Sequence, residues 1–118
     1  MQPERFLDVA QRLAAGNEPE DFRSSISRAY YAVFCRARNH LRSRYPSLTI
    51  PEDGTAHGFV PDEFRRRGGI CMTVGSHLVR LRDFRNMADY QDLFVRLEDT
   101  ADLAIRTAEA AMSALDGL

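Results

Sequence analysis

Apolar residues recur along this chain at intervals of three and four, the spacing that keeps side chains on one face of an α-helix. Phe6, Val9, Ala10 and Leu13 form such a stripe in a first segment, Pro3 to Ala15, with Pro3 suited to a first turn and Gly16 to a stop. A longer second segment, Pro19 to Arg44, repeats the pattern through Phe22, Ile26, Ala29, Tyr30, Val33, Phe34, Ala37 and Leu41. Asn17 is placed to cap it, with Glu20 three residues on and Pro19 in the first turn. A third segment is expected over Cys71 to Tyr90 and a fourth over Asp92 to Leu115. The fourth carries Phe94, Leu97, Ala101, Ala104, Ala108, Ala111 and Leu115 on one side, and its alanines allow a partner helix to come close.

Pro46, Pro51, Gly54, Gly58 and Pro61 interrupt the periodicity and predict a long loop from Tyr45 to Pro61. Asp62 to Arg67 is expected to add at most a short helical turn, closed by Gly68 and Gly69. No strand-like alternation occurs. The pattern predicts a single all-α domain over residues 1–118, an up-and-down four-helix bundle with one long insertion between its second and third helices.

Composition fits this picture: 118 residues, 44% apolar and 28% charged, suit a domain that buries a core without disulfides. Cys35 and Cys71 have no paired spacing and are expected to be small buried hydrophobes in a reducing compartment. No apolar run follows the first residues as a secretory signal requires, and none approaches the roughly 18 residues of a membrane span. A cytoplasmic chain is expected. The net charge is −1, which does not advertise nucleic-acid binding, but all sixteen basic residues are arginine, whose planar fork suits phosphate and carboxylate.

The chemistry begins with a misplaced charge. Val74, Leu78 and Leu81 share one face of the third segment, and Arg85 falls within that stripe. Such a residue is desolvated without compensation, reaches out of the bundle, or finds an acidic partner. Asp89, four residues on, can supply an intrahelical pair, and Arg82 lies three residues before. On the second segment, Ser24, Ser27, Arg28, Tyr31, Cys35, Arg38 and Arg42 lie opposite the core stripe, a face expected to be partly covered by a second subunit. Tyr30 is expected to bury its ring and extend its hydroxyl to water. His57 sits where a loop can fold over the same cleft, His40 is placed to complement the second helix's dipole as a cation, and Arg65-Arg66-Arg67 reads as a solvated turn. There is no P-loop, H-E-x-x-H, C-x-x-C or di-iron pattern, and neither a metal site nor a cofactor is expected.

The run Arg23-Ser24-Ser25-Ile26-Ser27-Arg28-Ala29-Tyr30-Tyr31-Ala32-Val33-Phe34 resembles the second-helix signature of HEPN-domain proteins, in the subgroup with an S-R-A-Y-Y-A-x-F run. Arg85-Asn86-Met87-Ala88-Asp89-Tyr90 resembles that subgroup's R-x-x-A-D-Y motif, and Ala56-His57-Gly58-Phe59-Val60 with Phe64 its inter-helical segment. The likeness runs from about Phe22 to the end of the fourth segment.

The resemblance implies a toxin-like, RNA-associated component of a defence or toxin–antitoxin module, acting as a homodimer and partnered by a nucleotidyltransferase. HEPN ribonucleases carry R-x(4–6)-H, usually with a polar residue after the arginine, and face two such motifs across a shared cleft. Arg85 and Asn86 match its first half. The fifth position after the arginine is Tyr90, and a phenol, titrating near about 10, is a poor base at neutral pH. By this resemblance Arg85 holds the scissile phosphate, Asn86 and Tyr90 orient it, Asp89 fixes Arg85, and Arg28, Tyr31, Arg82 and His57 contact substrate. The alternative is a non-catalytic module that holds a nucleotide in the same cleft or serves as an assembly surface.

Overall fold

The longest apolar stripe becomes the longest helix. In the computed structural model, which describes residues 2–118, Pro19–Arg44 forms a 26-residue helix, α2, following α1 (Pro3–Ala14). At about 1.5 Å per residue this helix is roughly 39 Å long, nearly the molecule's 44 Å long axis. Three further helices follow: α3 (Ala56–Arg66), α4 (Gly69–Tyr90) and α5 (Leu97–Asp116). The described residues contain no strand. α2 packs against all four other helices, and α4 also packs on α3 and α5.

Every residue of the predicted α2 stripe is buried, from Phe22 to Leu41. Ala101, Ala104, Ala108 and Ala111 of α5 are at most 1% exposed, so short side chains bring α5 close to its neighbours. α1 is pinned by a buried polar contact: the Ser25 hydroxyl donates to the Ala10 carbonyl at 2.8 Å, and both residues are fully buried. One apolar cluster draws on all five helices.

The structure corrects the loop. Ala56 to Arg66 is a full helix, because Ala56, Val60 and Phe64 recur every four residues and all three are buried. Pro61 sits inside it and removes one N–H, yet its ring joins the buried face. Gly75 lets α3 lie directly on α4. A Cβ there would stand 2.8 Å from the Pro61 carbonyl oxygen and overlap the Arg65 side chain. The turn between these helices uses Gly68 and Gly69 at φ 70° and 57°, the left-handed region that glycine enters without steric cost.

Other expectations also shift. α2 starts after Glu18 with no side-chain cap, so Asn17 does not cap it. α5 starts at Leu97 rather than Asp92, because Arg96 adopts φ 58° and breaks the helical path. Phe94 therefore lies ahead of the helix, half-buried against the core, with the Arg23 guanidinium 5.7 Å from its ring. Arg66 and Arg67 are not a free basic run, since both pair with buried Glu63, at 2.9 and 2.7 Å. Arg67 also lies 4.1 Å over the Tyr45 ring. No helix of the described residues is long and apolar enough to cross a membrane.

Candidate functional site

Arg85 is held where α4 meets α2. Its guanidinium carbon lies 5.2 Å from the Tyr30 ring and 5.7 Å from the Tyr31 ring, and its side chain is only 12% exposed. Cation–π contacts of this kind contribute roughly 0.5–2 kcal/mol, which offsets part of the cost of taking the charge out of water. Asp89, one turn on, supplies little direct bonding, since its Oδ2 is 3.7 Å from Arg85 Nη1, beyond hydrogen-bond length. The other carboxylate oxygen of Asp89 accepts a 2.6 Å bond from the Ser27 hydroxyl and ties the end of α4 to α2. Arg23 reinforces that junction by donating to the Ala88 carbonyl at 2.7 Å and the Asp92 carbonyl at 3.0 Å.

His57 enters from the first turn of α3 and meets the same two tyrosines. Its ring centroid is 5.6 Å from that of Tyr30 and 6.1 Å from that of Tyr31, and it stacks on Phe34 at 4.5 Å. The Tyr30 hydroxyl and His57 Nδ1 are 2.5 Å apart. Tyr30 is 1% exposed, so its hydroxyl bonds inside the protein instead of extending to water. Burial pushes the Tyr30 phenol up to about 12 despite the opposing fields of Arg85 and Arg82. It therefore keeps its proton at neutral pH and can donate it to Nδ1. Burial, then the charges of Arg85, Arg82 and Arg38, hold the His57 imidazole below its ordinary value. His57 is neutral at pH 7, and while Tyr30 donates to Nδ1 the ring proton sits on Nε2.

The arginines around this imidazole share a defect. Among the described residues, the Nε atoms of Arg38, Arg82 and Arg85 are buried and lack any hydrogen-bond partner. Arg38 lies over the Phe34 ring at 5.6 Å. Arg82 lies beside α3, with Nη1 3.7 Å from where a Cβ on Gly58 would stand. Three cations gathered about one neutral histidine form an electropositive cluster, and the unsatisfied Nε of each is closed to solvent.

Of the residues singled out in the sequence, Arg85, Arg82, Tyr31, His57 and Asp89 converge here. Asn86 is half-buried on the next position of α4. Tyr90 ends α4 at 75% exposure, and at 100° per residue it is turned about 140° from Arg85. Arg28 is exposed and lies 5.9 Å over Phe6 of α1. Phe6 also approaches Tyr31 at 6.5 Å, so α1 and α3 of its own chain both contact Tyr31, which stays half-buried. Arg38, Tyr30 and Phe34 belong to the cluster without having been chosen as site residues. Arg38 carried a signal, because it repeats in register with Tyr31 on the outer face of α2. His40 differs from expectation: burial, then Arg36, Arg44 and Arg67, push its imidazole down, which leaves it neutral and not a dipole-complementing cation.

The described residues contain no group of three or more His, Cys, Asp or Glu side chains placed to hold a metal. A groove of about 600 Å³ lies between α1 and α2, away from Arg85. A second, about 380 Å³, runs beside His57, Tyr31 and Arg38. No protein-family model, curated protein or solved structure matches the chain.

Proposed function

We propose that this chain is a HEPN-like, RNA-associated protein in which Arg85, Arg82 and Arg38 receive a backbone phosphate beside the neutral imidazole of His57. In this reading α1, α2, α4 and α5 make the up-and-down four-helix bundle and α3 is the insertion that delivers the histidine. The observation that carries it is Arg85: only 12% exposed, faced by two tyrosine rings, and with an Nε that nothing in the described chain satisfies. A phosphate bound beside the guanidinium groups would offset the repulsion among the three cations.

His57 supplies the imidazole that the R-x(4–6)-H pattern lacks at Tyr90. With the ring proton on Nδ1 and donated to the Tyr30 oxygen, the neutral imidazole can accept the proton of a ribose 2′-hydroxyl at Nε2. The 2′ oxygen then bonds to phosphorus, the bond to the 5′ oxygen breaks, and that oxygen takes a proton from water. The arginines stabilise the charge that develops on phosphorus-bound oxygen. Proton transfer at Nε2 therefore requires the tautomer in which the Tyr30 oxygen accepts from Nδ1–H. A toxin-like role in a two-component module, a homodimer and a nucleotidyltransferase partner belong to the same reading and rest on the sequence resemblance.

Purified protein incubated with total RNA, beside Arg85→Ala and His57→Asn, tests the reaction. Cleavage by the wild type that both substitutions abolish supports it. Equal background in all three removes the enzyme and leaves the second reading, nucleotide or RNA binding without turnover. That second reading is favoured by one observation: the Tyr30 hydroxyl already occupies one of the two nitrogens that proton transfer would use.

A further inference from the structure

Three open grooves line the outer face of α2, and neighbouring grooves share residues. The largest, between α1 and α2, has Arg5, Phe6, Arg12 and Arg28 in its walls. A groove of about 260 Å³ shares Arg28 and continues past Ser27 to Tyr31. The groove beside His57 shares Tyr31 and runs on past Arg38 to Arg42. Arg28, Tyr31, Cys35, Arg38 and Arg42 alternate in steps of three and four, one line along the helix surface. At about 1.5 Å per residue that line is roughly 21 Å long.

The near-neutral net charge conceals how charge is distributed about this line. α2 carries six arginines against two acids, whereas α5 carries one arginine against five acids. The walls do contain carboxylates: Asp8, Glu52, Asp53 and Asp89. Asp53 is turned onto the Thr55 backbone N–H and hydroxyl, and Asp89 is engaged by Ser27 and Arg85. Aromatic surface recurs along the channel, with Phe6 beneath Arg28, then Tyr31, then the His57 ring stacked on Phe34.

We infer that the channel from Arg12 to Arg42 is a track for single-stranded RNA several nucleotides long, passing the phosphate site on the side of Arg38 and His57. The inference rests on the phosphate reading of Arg85 and extends it from one phosphate to a strand. Arginines at both ends match the spaced charges of a backbone, and ring faces between them need bases that are free to stack. In a duplex those bases are paired and hidden, so double-stranded RNA cannot use the rings.

Fluorescence anisotropy with labelled oligouridylates of about two, four and eight nucleotides, and with a short RNA duplex, tests the track. Affinity is expected to rise with length, and the duplex to bind more weakly than the longest single strand. Arg28→Ala and Arg42→Ala, both at exposed positions, are each expected to weaken the longest strand several-fold while sparing the dinucleotide. Each is also expected to reduce the slope of log affinity against log salt by about 0.7. Phe6→Leu keeps apolar bulk but removes a stacking face, and is expected to weaken the longest strand alone. Equal binding of short and long strands, unchanged salt slopes, or a duplex bound as tightly as the single strand would each overturn the track. Loss of all binding in Arg85→Ala with unchanged Arg28 and Arg42 variants would sink the track and keep the phosphate site. The converse pattern would sink the phosphate site and keep the groove.

Discussion

The hydroxyl of Tyr30 stands 2.5 Å from Nδ1 of His57, a contact that joins α2 to α3 at the point where three arginines gather. Because burial raises the phenol to about 12, the proton of this pair stays on tyrosine at neutral pH and the imidazole stays neutral. Its electrostatic surroundings are then a readout of what occupies the site. In a histidine-ring NMR titration, His57 is expected to titrate below the usual 6.5 or so. Arg85→Ala is expected to raise that midpoint by removing a neighbouring positive charge, and saturating inorganic phosphate to raise it in the wild type. A midpoint indifferent to both would separate His57 from the arginine cluster.

The same depressed imidazoles predict a pH dependence of stability. His57 and His40 both resist protonation in the fold, so between their folded values and the unfolded value near about 6.5 the unfolded chain binds more protons. Their contribution is complete above that unfolded value and is lost as pH falls. The Tm is expected to drop on acidification from about pH 7.5 to about pH 5. His57→Gln and His40→Gln should each flatten part of that slope. If the slope survives both substitutions together, other groups are responsible.

Asp89 lies 3.7 Å from Arg85 and 2.6 Å from the Ser27 hydroxyl, so its stronger bond is to the serine. Asp89→Asn keeps an acceptor for Ser27 while removing a charge that competes with a bound anion. Such half-exposed pairs contribute about 0.2–1 kcal/mol, which corresponds to phosphate or dinucleotide binding up to about fivefold tighter, with little change in Tm. Weaker binding in this variant would instead make Asp89 a positioning residue for Arg85.

Gly75 sets the distance at which α3, and with it His57, rests on α4. A methyl group there meets a backbone carbonyl, which cannot rotate aside as the Arg65 side chain can. Gly75→Ala is expected to cost about 1–3 kcal/mol of stability, as overpacking at a close seam does, even though alanine favours a helix interior. Chemical denaturation measures this directly. A variant as stable as the wild type would mean that the two helices have room to separate.

Much of this arrangement was legible in the sequence, for physical reasons that vary by element. α2 and α5 carry uninterrupted stripes, and such stripes bury wherever a partner helix is available. Arg85 was conspicuous because a charge among Val74, Leu78 and Leu81 breaks the pattern. α3 was obscured because Gly58 and Pro61 signal a loop, while the Ala56–Val60–Phe64 spacing that outweighs them spans only two turns. The start of α5 was obscured because Phe94 extends the apolar period backward across Arg96, whose left-handed backbone no composition signals. The Tyr30–His57 contact was not legible at all, since 27 residues separate the partners and only the seating of α3 on α4 brings them together.

The central claim is that Arg85 grips an anion, and binding of a labelled single-stranded RNA oligonucleotide reads it most directly. Arg85→Ala, shown by circular dichroism to retain its helices, is expected to bind at least about tenfold more weakly, as befits a lost charge-assisted contact. Arg85→Lys, which keeps the charge but not the planar fork, is expected to fall between the two. Undiminished affinity in a folded Arg85→Ala protein would contradict the account.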